Sequence, residues 1–395
     1  MANKELKVGN VPNLRFPGFE GEWEVKKLGE IGEIVNGLTY NPNDINENGV
    51  LVLRSSNVQN RNIVFDDNVY VKVLNYNQVK ENDILICVRN GSKNLIGKNA
   101  LIKKENEGLA FGAFMSVYRS PFNQFIFQWF DTQKYKETVN KNLGATINSI
   151  NGGDLKSFSI ALPSKEEQKK IADFLSLLDL RIQTQNKIIE ELKLLKNTLN
   201  KQLFSRELRF KDDNDYSFGD WKNIMLGDIG QIITGKTPST ADLDLWDGDI
   251  QFVTPTDIRL DKYQYTTERT IKKTDKLKIL PPKSIMFTCI ASIGKMSLSL
   301  KPCVTNQQIN SLIPNSDFNN EFVFYAIANI SGFIKSIQAS STMPIINKTE
   351  FSKFKISIPP PEEQLKIANF LSSFDSKINI ELQLLQKLEV EKNTY

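Results

Sequence analysis

The chain repeats itself, and this duplication constrains its fold more strongly than any other feature. LGEIGEIVNG, which starts at Leu28, returns as LGDIGQIITG at Leu226, 198 residues later. LPSKEEQKKIADFLSLLD, which starts at Leu162, returns as IPPPEEQLKIANFLSSFD at Ile358, 196 residues later. A nearly constant interval across most of the 395 residues indicates a duplicated unit of about 196 residues.

The two copies differ mainly in the polar residues of their middle segments. The apolar skeleton is kept there, so we expect two related scaffolds with two non-identical ligands.

The sequence LRF that ends at Phe16 also matches the LRF that ends at Phe210, just after the first helical region. The N-terminus therefore corresponds to a continuation of the C-terminal helix. We expect the termini to lie close together in a closed ring with pseudo-twofold symmetry.

A strong helix signal follows the middle segment of each copy. Ser164 and Glu167 fit an S-x-x-E capping box, and the second copy begins with prolines, which a first helical turn tolerates. Apolar residues then recur at the alternating spacing of four and three that is typical of a coiled coil. The seam residues are Ile171, Leu175, Leu178, Ile182, Ile189 and Leu192 in the first copy and Ile367, Leu371, Phe374, Ile378, Leu385 and Leu388 in the second.

The two seams share one polar position, which Gln185 and Glu381 occupy. A polar group in a seam can fix the register of two helices at some cost in stability. We predict that the two helices pair antiparallel; the alternative is that each packs on its own domain. A helix of about 40 residues is roughly 60 Å long, which exceeds one DNA turn of about 34 Å.

The segments between these helices predict an α+β fold. Short β-rich runs, such as Asp83–Val88 and Ser284–Cys289, alternate with turn signals, and helical stretches follow at Phe125–Lys141 and Phe322–Ile337. We predict two pseudo-twofold-related domains joined by two long antiparallel coiled-coil helices. The predicted limits are 1–163 and 206–359 for the domains and 164–205 and 360–395 for the helical regions.

Polar loops between the predicted strands carry the side chains that read DNA base edges. Arg and Lys pair with guanine, whereas Asn and Gln pair with adenine. Polar loops are often merely solvated, but these recur at matching positions in both copies, so we take their members as DNA-binding candidates. The candidates are Arg54, Ser55, Asn57, Arg89, Asn90, Lys93 and Lys98 in the first copy, and Lys236, Thr237, Thr254, Thr256, Arg259, Ser292, Lys295 and Gln307 in the second.

One stretch matches a phosphate-binding loop in its letters. Residues Gly230–Thr237 fit G-x-x-x-x-G-K-T, but Pro238 follows at once, and the first copy has Leu38 where the lysine should stand. Such a loop must open a helix, because the helix N-terminus faces the phosphate. We therefore interpret the two glycines as turn residues and Lys236 as available for DNA.

Other signs of chemistry are weak. The chain has no histidine, which is the commonest general base, and shows no G-x-S-x-G elbow and no clustered metal ligands. We assign to this chain no catalytic residue, no metal ligand and no cofactor of its own. A nuclease-like cluster of carboxylates is the alternative that the sequence leaves open.

The composition allows a nucleic-acid partner and indicates a compartment. The formal net charge is only +4, so local patches matter more than the total. Cys87, Cys289 and Cys303 form no CxxC pair, which favours reduced thiols in the cytoplasm. The N-terminus contains no leader-like apolar stretch, and no apolar run is long enough for a membrane span.

The order of these motifs resembles the specificity subunits of type I restriction-modification systems. The resemblance rests on LRFPGFEGEW at Leu14–Trp23, on the two LG-x-IG starts, and on the EEQ…IA…FL…D block at Glu166–Asp179 and Glu362–Asp375. It covers nearly the whole chain, and its helix-start block occurs twice.

The resemblance implies two target-recognition domains, each of which reads one half of a split, asymmetric site in double-stranded DNA. It implies that the helices set the gap between the half-sites and dock two methyltransferase subunits, which bind S-adenosylmethionine. A restriction subunit, which uses ATP and Mg²⁺, would join that complex. The rival interpretations are a stand-alone DNA-modifying or DNA-cleaving enzyme and a coiled-coil scaffold without DNA contact.

Overall fold

The computed structural model describes residues 11–12, 14–143, 148–259, 261–338 and 345–394, without the side chain of residue 338. These residues form two compact units. Unit 1 extends to Thr184 and also contains the segment from Gln386 onwards, whereas unit 2 comprises Gln185–Leu385. The first and the last described segments of the chain thus belong to unit 1, and the closed ring stays a prediction. Residues 1–10, which bear on the expected absence of a leader, lie outside the described residues.

Unit 1 contains the first α+β domain and the start of a long helix. Its strands are β1 (Glu24–Lys27), β2 (Glu33–Asn36), β3 (Ile45–Leu53), β4 (Val58–Gln59), β5 (Asn62–Ile63), β6 (Tyr70–Val71), β7 (Ile84–Cys87), β8 (Asn99–Leu101), β9 (Ala110–Phe111), β10 (Met115–Arg119) and β11 (Ser159–Leu162). Its helices are α1 (Leu28–Ile31), α2 (Asn123–Trp129), α3 (Gln133–Lys141), α4 (Gly152–Ser157) and α5 (Lys165–Phe204), the last of which continues into unit 2.

The central sheet of domain 1 has the strand order β2-β10-β7-β8, and its neighbours run antiparallel. Successive residues of β7 point to opposite faces, so Ile84 and Ile86 pack with α2 and α3, while Leu85 and Cys87 enter a second apolar cluster. Burial on both faces explains the unbroken apolar run of this strand. A second sheet, β6-β3-β9, contains the parallel pair of β3 and β9.

The helical stretch predicted over Phe125–Lys141 is broken into α2 and α3. Thr132 lies between them in an extended conformation, and its hydroxyl accepts a hydrogen bond from the N–H of Tyr135 at 3.3 Å. This N-cap starts a new helix in a new direction. The break lets Phe130 and Tyr135 stack with their ring centroids 4.5 Å apart.

Unit 2 repeats the arrangement. Its strands are β12 (Lys222–Met225), β13 (Gly230–Thr234), β14 (Trp246–Val253), β15 (Tyr263–Gln264), β16 (Arg269–Ile271), β17 (Ile285–Thr288), β18 (Met296–Ser299), β19 (Cys303–Thr305), β20 (Ile309–Pro314) and β21 (Lys355–Ile358), and its helices are α6 (Leu226–Ile229), α7 (Asn320–Gln338), α8 (Lys348–Lys353) and α9 (Pro361–Thr394). The main sheet has the order β13-β20-β17-β18-β15, and the second sheet has the order β16-β14-β19. The predicted α+β fold with an internal duplication is confirmed.

The long helices pack antiparallel within unit 2. Gln185 of α5 donates hydrogen bonds to the carboxylate of Glu381 at 2.6 Å and to its carbonyl at 3.1 Å. Further along α5, Lys196 contacts Asp375, which lies earlier on α9. The contact positions therefore run in opposite directions along the two helices. The shared polar position of the two seams is a direct hydrogen-bonded pair.

The predicted seam has two kinds of contact. Ile367 and Leu371, near the start of α9, belong to the hydrophobic core of domain 2, and Ile171 packs against the core of domain 1. The first part of each seam therefore packs on its own domain, as in the alternative interpretation. The remaining seam residues are half-buried or buried, namely Leu175, Leu178, Ile182, Ile189, Leu192, Phe374, Ile378, Leu385 and Leu388.

The second glutamate of each EEQ block pairs with the arginine of an LRF segment. In unit 1, Arg15 donates two hydrogen bonds to Glu167, both with N···O distances of 2.7 Å. In unit 2, Arg209 donates to Glu363 at 3.1 and 2.7 Å, and this bonding raises the pKa of the Arg209 guanidinium. Both glutamates are buried, so the two-point pairing offsets the loss of water around their charges.

Other residues of the LRF and EEQ motifs add contacts to this arginine–glutamate pairing, which we call the joint of each unit. Gln168 donates to the carbonyl of Pro163 at 2.8 Å, and Gln364 makes the same bond to Pro359 at 3.0 Å. The predicted capping box is half formed, because the hydroxyl of Ser164 accepts from the N–H of Glu167 while the Glu167 carboxylate is directed to Arg15. The LRF phenylalanines lie edge-on to helix rings, Phe16 to Phe174 and Phe210 to Phe370.

Glu363→Gln tests this joint, because it removes the charge and keeps the size. We expect the free energy of unfolding of unit 2 to fall by about 2 kcal/mol, since hydrogen bonds from Arg209 and Trp221 lose their charge assistance. Urea unfolding followed by the fluorescence of the four tryptophans, which include Trp221 and Trp246 of unit 2, measures the change. Lys366→Ala, which breaks an exposed pair with Asp213, is the control and should have little effect. Equal losses in both variants would contradict the prediction.

Candidate nucleic-acid interface

Four segments of domain 1 meet at one end of its sheets. Strands β2 and β7 both run antiparallel to β10, so their C-terminal ends lie where β10 begins. The parallel pair of β3 and β9 brings the end of β3 to the turn that leads into β10. Backbone hydrogen bonds join these segments: Gly112 N–H to Leu53 O at 2.9 Å, Leu38 N–H to Phe111 O at 2.7 Å, and Val88 N–H to Phe114 O at 3.0 Å. We call residues 37–41, 54–57, 88–98 and 112–114 loop end 1.

Domain 2 has an equivalent surface, which we call loop end 2: residues 235–239, 254–257, 289–295 and 306–308. The same kind of backbone bonds joins it: Lys236 N–H to Thr305 O at 2.8 Å, Asn306 N–H to Val253 O at 3.0 Å, and Cys289 N–H to Gln308 O at 2.8 Å. The shared strand order therefore produces the same arrangement of loops from different polar residues.

The domain 1 candidates lie in two neighbouring loops of loop end 1. Asn90 donates a hydrogen bond to the hydroxyl of Ser55 at 3.0 Å, which ties the loop after β3 to the loop after β7. Arg54 pairs with Asp67 at 2.8 Å on the surface. Arg89 and Lys93 are exposed, whereas Lys98 is half-buried beside the start of β8.

Asn57 has a different place from the other candidates, because its side chain is fully buried. Its side-chain carbonyl accepts the N–H of Arg54 at 2.9 Å, and its amide donates to the carbonyls of Val64 and Asp67 and to Asn68. The amide is thus occupied inside domain 1 and holds the segment 54–68 in shape. The proposed DNA-contacting surface therefore does not include Asn57.

The domain 2 candidates also come together. The hydroxyl of Thr237 donates to Gln307 at 2.6 Å, which joins the segment after β13 to the turn between β19 and β20. Thr254 contacts Thr256 at 2.8 Å and Asp257 at 2.7 Å within the turn after β14. Lys236, Thr256, Lys295 and Gln307 are exposed, and Ser292 is half-buried. Arg259 is exposed next to the buried Ile258.

The phosphate-loop match has no helix behind it. Gly230–Thr234 form strand β13, and the following residues 235–239 continue without regular structure. The interpretation of both glycines as turn residues is wrong. Each lies where a neighbouring backbone approaches so closely that a side chain would not fit. A Cβ at Gly230 would lie 2.0 Å from the carbonyl oxygen of Ile313, and one at Gly235 would lie 2.1 Å from that of Asn306. Gly37 repeats the requirement in domain 1, at 2.1 Å from Gly112.

Polar networks that sequence reasoning missed hold each domain against a helix of its own unit. In unit 1, Lys392 reaches Asp131 and Asp179 at 2.5 Å each. Burial disfavours the charge on Asp131, but Arg61 and Lys392 outweigh it and lower the pKa of that carboxyl. In unit 2, Lys196 and the hydroxyl of Tyr325 both contact Asp375. The repeat contains a signal for these pairs, because Lys196 and Lys392 occupy equivalent positions of the two copies, and so do Asp179 and Asp375.

The described residues offer few groups for covalent or metal chemistry. The thiols of Cys87, Cys289 and Cys303 are buried, and burial raises their pKa values to about 11, 11 and 12, which keeps them protonated at neutral pH. Within the described part of the chain, no three acidic or cysteine side chains are grouped to hold a metal ion. No helix that the structure describes is long and apolar enough to cross a membrane.

Fold and loop ends together define a duplicated α+β protein, in which one scaffold carries two different polar surfaces. The chain belongs to the family of the type I restriction modification DNA specificity domain, whose model matches residues 20–194 and 219–390. The match covers most of the chain and occurs once in each copy of the repeat.

Individual relatives agree with the family. The type I restriction enzyme MjaIX specificity subunit of Methanocaldococcus jannaschii is 33% identical over 184 residues, which are 44% of this chain and 42% of that relative. The putative MjaX specificity subunit of the same organism is 26% identical over 98% of this chain and 93% of its own length. The solved S subunit from M. genitalium has a similar fold, with a TM-score of 0.66, 18% identity and 97% of both chains covered.

Asn57→Ala tests whether this residue organises loop end 1. We expect the free energy of unfolding of unit 1 to fall by about 2 kcal/mol, because buried backbone groups lose their partners. Amide hydrogen exchange over residues 54–68 should become faster at the same time. Ser55→Ala, which removes a single half-buried hydroxyl, serves as the matched control. Unchanged exchange in the Asn57 variant would argue against an organising role.

Proposed function

We propose that this chain is the DNA-binding specificity subunit of a type I restriction-modification complex and has no catalytic role. Each domain reads one half of a bipartite, asymmetric site in double-stranded DNA. The single observation that supports this most strongly is the gathering of arginine, lysine, asparagine and glutamine side chains, the types that can read base edges, on loop end 1 and loop end 2. Such side chains contact guanine or adenine edges directly, while neighbouring lysines contact phosphates.

The difference between the loop ends supports an asymmetric site. Loop end 1 presents the exposed Arg89 and Lys93 and the bonded pair of Asn90 and Ser55. Loop end 2 presents a threonine–glutamine pair, Thr237 and Gln307. Guanine offers two acceptors in the major groove, and adenine offers a donor and an acceptor. Two surfaces with different donor and acceptor patterns would select different base sequences.

The long helices present the surface for protein partners. They carry exposed apolar residues outside the seam, namely Leu177, Leu180, Ile188, Leu194 and Leu195 on α5 and Leu365, Ile380 and Val390 on α9. Exposed apolar groups on a helix mark a site where another protein can bury them. We propose that two methyltransferase subunits dock there and that restriction subunits join the complex. S-adenosylmethionine, ATP and Mg²⁺ would be bound by those partners.

The proposal places this complex in the reducing cytoplasm. Three unpaired, buried cysteines fit that compartment, because an oxidising one favours disulfides. Reduced thiols with raised pKa values would stay inert there.

Replacing residues 24–160 with those of a relative tests the modular reading of DNA, in which each domain reads its own half-site independently of the other. We expect the complex formed with methyltransferase subunits to change one half-site of its target and to keep the other. Sequencing of methylated adenines in a host that carries each version measures both halves. The reciprocal replacement of residues 222–356 is the control and should change the other half. A change of both halves by one replacement would refute the modular reading.

Lengthening the helix pair tests whether the two long helices act as a ruler, that is, whether they set the gap between the half-sites. Seven residues inserted after Gln185 and seven after Glu381 keep the seam in phase and add about 10 Å. We expect the gap between the half-sites to grow by about three base pairs, or methylation to be lost. Seven residues inserted after Asn214, in the exposed segment between α5 and β12, form the control. Full activity with an unchanged gap in the helix variant would show that the helices are not the ruler.

A further inference from the structure

One residue of loop end 1 is an exposed aromatic. Phe114 lies in the turn between β9 and β10, and the residue is 55% exposed. Its carbonyl accepts hydrogen bonds from the N–H groups of Val88 and Arg89 at 3.0 and 3.1 Å, so the backbone beneath the ring is held in place. The guanidinium of Arg89 lies 5.8 Å from the ring centroid. The ring is therefore presented on a fixed turn and does not belong to the core.

The equivalent turn of loop end 2 has different chemistry. Gly112 corresponds to Asn306, because the N–H of Met115 bonds to Gly112 O as the N–H of Ile309 bonds to Asn306 O. Residues 112–114 are Gly-Ala-Phe, whereas residues 306–308 are Asn-Gln-Gln. Domain 1 thus places an apolar group where domain 2 places amides, on the same backbone.

An exposed ring among DNA-reading loops needs an apolar feature on the DNA. In the major groove, the base edges present hydrogen-bond donors and acceptors and a single apolar group, the C5-methyl of thymine. Phenylalanine is one of the side chains that makes this contact. An exposed aromatic group without such a contact would remain hydrated in the complex, with no gain in affinity.

We propose that Phe114 is a specificity-determining residue that contacts a thymine C5-methyl group in the half-site read by domain 1. The inference rests on the proposed function and deepens it. Removal of one buried methyl group weakens binding by about four-fold, which is the effect to be measured.

The experiment uses the chain in complex with its methyltransferase subunits, after methylation sequencing has defined the target. Each thymine of the domain 1 half-site is replaced in turn by deoxyuridine, which lacks only the methyl group, and binding of each duplex is measured. The wild-type complex should lose about four-fold in affinity at one position. The Phe114→Ala complex should bind that duplex and the parent duplex equally well, and it should methylate the domain 2 half-site with unchanged sequence preference.

Leu74→Ala is the matched control, because Leu74 is a fully exposed apolar residue on the segment after β6 and away from the β9–β10 turn. Its complex should respond to deoxyuridine as the wild type does. Three results would overturn the inference. The domain 1 half-site contains no thymine, no deoxyuridine substitution lowers the affinity of the wild-type complex, or the same substitution lowers the affinity of the wild-type and Phe114→Ala complexes equally. Absence of any sequence-specific methylation would instead refute the proposed function, so the two failures are distinguishable.

Discussion

The pairing of an arginine with a buried glutamate at the start of each long helix is the contact on which the rest of each unit depends. A carboxylate without access to water is costly unless it is paired, and the arginine that pairs with it comes from a segment outside the helix. In unit 2, Arg209 follows α5 and Glu363 opens α9, so one ion pair joins the end of one helix to the beginning of the other. Arg15 and Glu167 make the equivalent joint in unit 1. The paired LRF and EEQ motifs recur together because each is half of this contact.

Each helix is also tied to the domain of its unit further along its length. Lys196 with Asp375 in unit 2, and Lys392 with Asp179 in unit 1, are equivalent pairs, and each reaches a side chain of the adjoining domain helix or the turn after it. Charged groups that are partly buried keep their strength better than surface pairs, which water screens. The domains are therefore held at both the start and the middle of the helical contact, which suits loop ends that must be presented in a fixed orientation.

Within each domain, the backbone beneath the loop end is fixed, whereas the side chains on the loop end differ between the copies. Gly37 and Gly235 allow the same close approach of backbones beneath the loop ends, and the same backbone bonds join the loops in both copies. Above this base the side chains are free to differ, as Phe114 and Gln308 do on equivalent turns. A scaffold fixed by backbone contacts can change its ligand without changing its fold.

Much of the fold could be read from the sequence, since the repeat interval, the seam spacing and the apolar strands are local or periodic signals. The duplication, the α+β class, the paired polar position of Gln185 and Glu381 and the polar loops all follow from such signals. The two faces of β7 and the break at Thr132 depended on neighbours that are distant in the chain. The same holds at the loop ends, where residues such as Arg54, Ser55 and Asn57 form one polar run in the sequence. Only tertiary contacts bury Asn57, bring Ser55 to Asn90 and leave Phe114 exposed, because burial and hydrogen bonding are set by strands that pair across tens of residues.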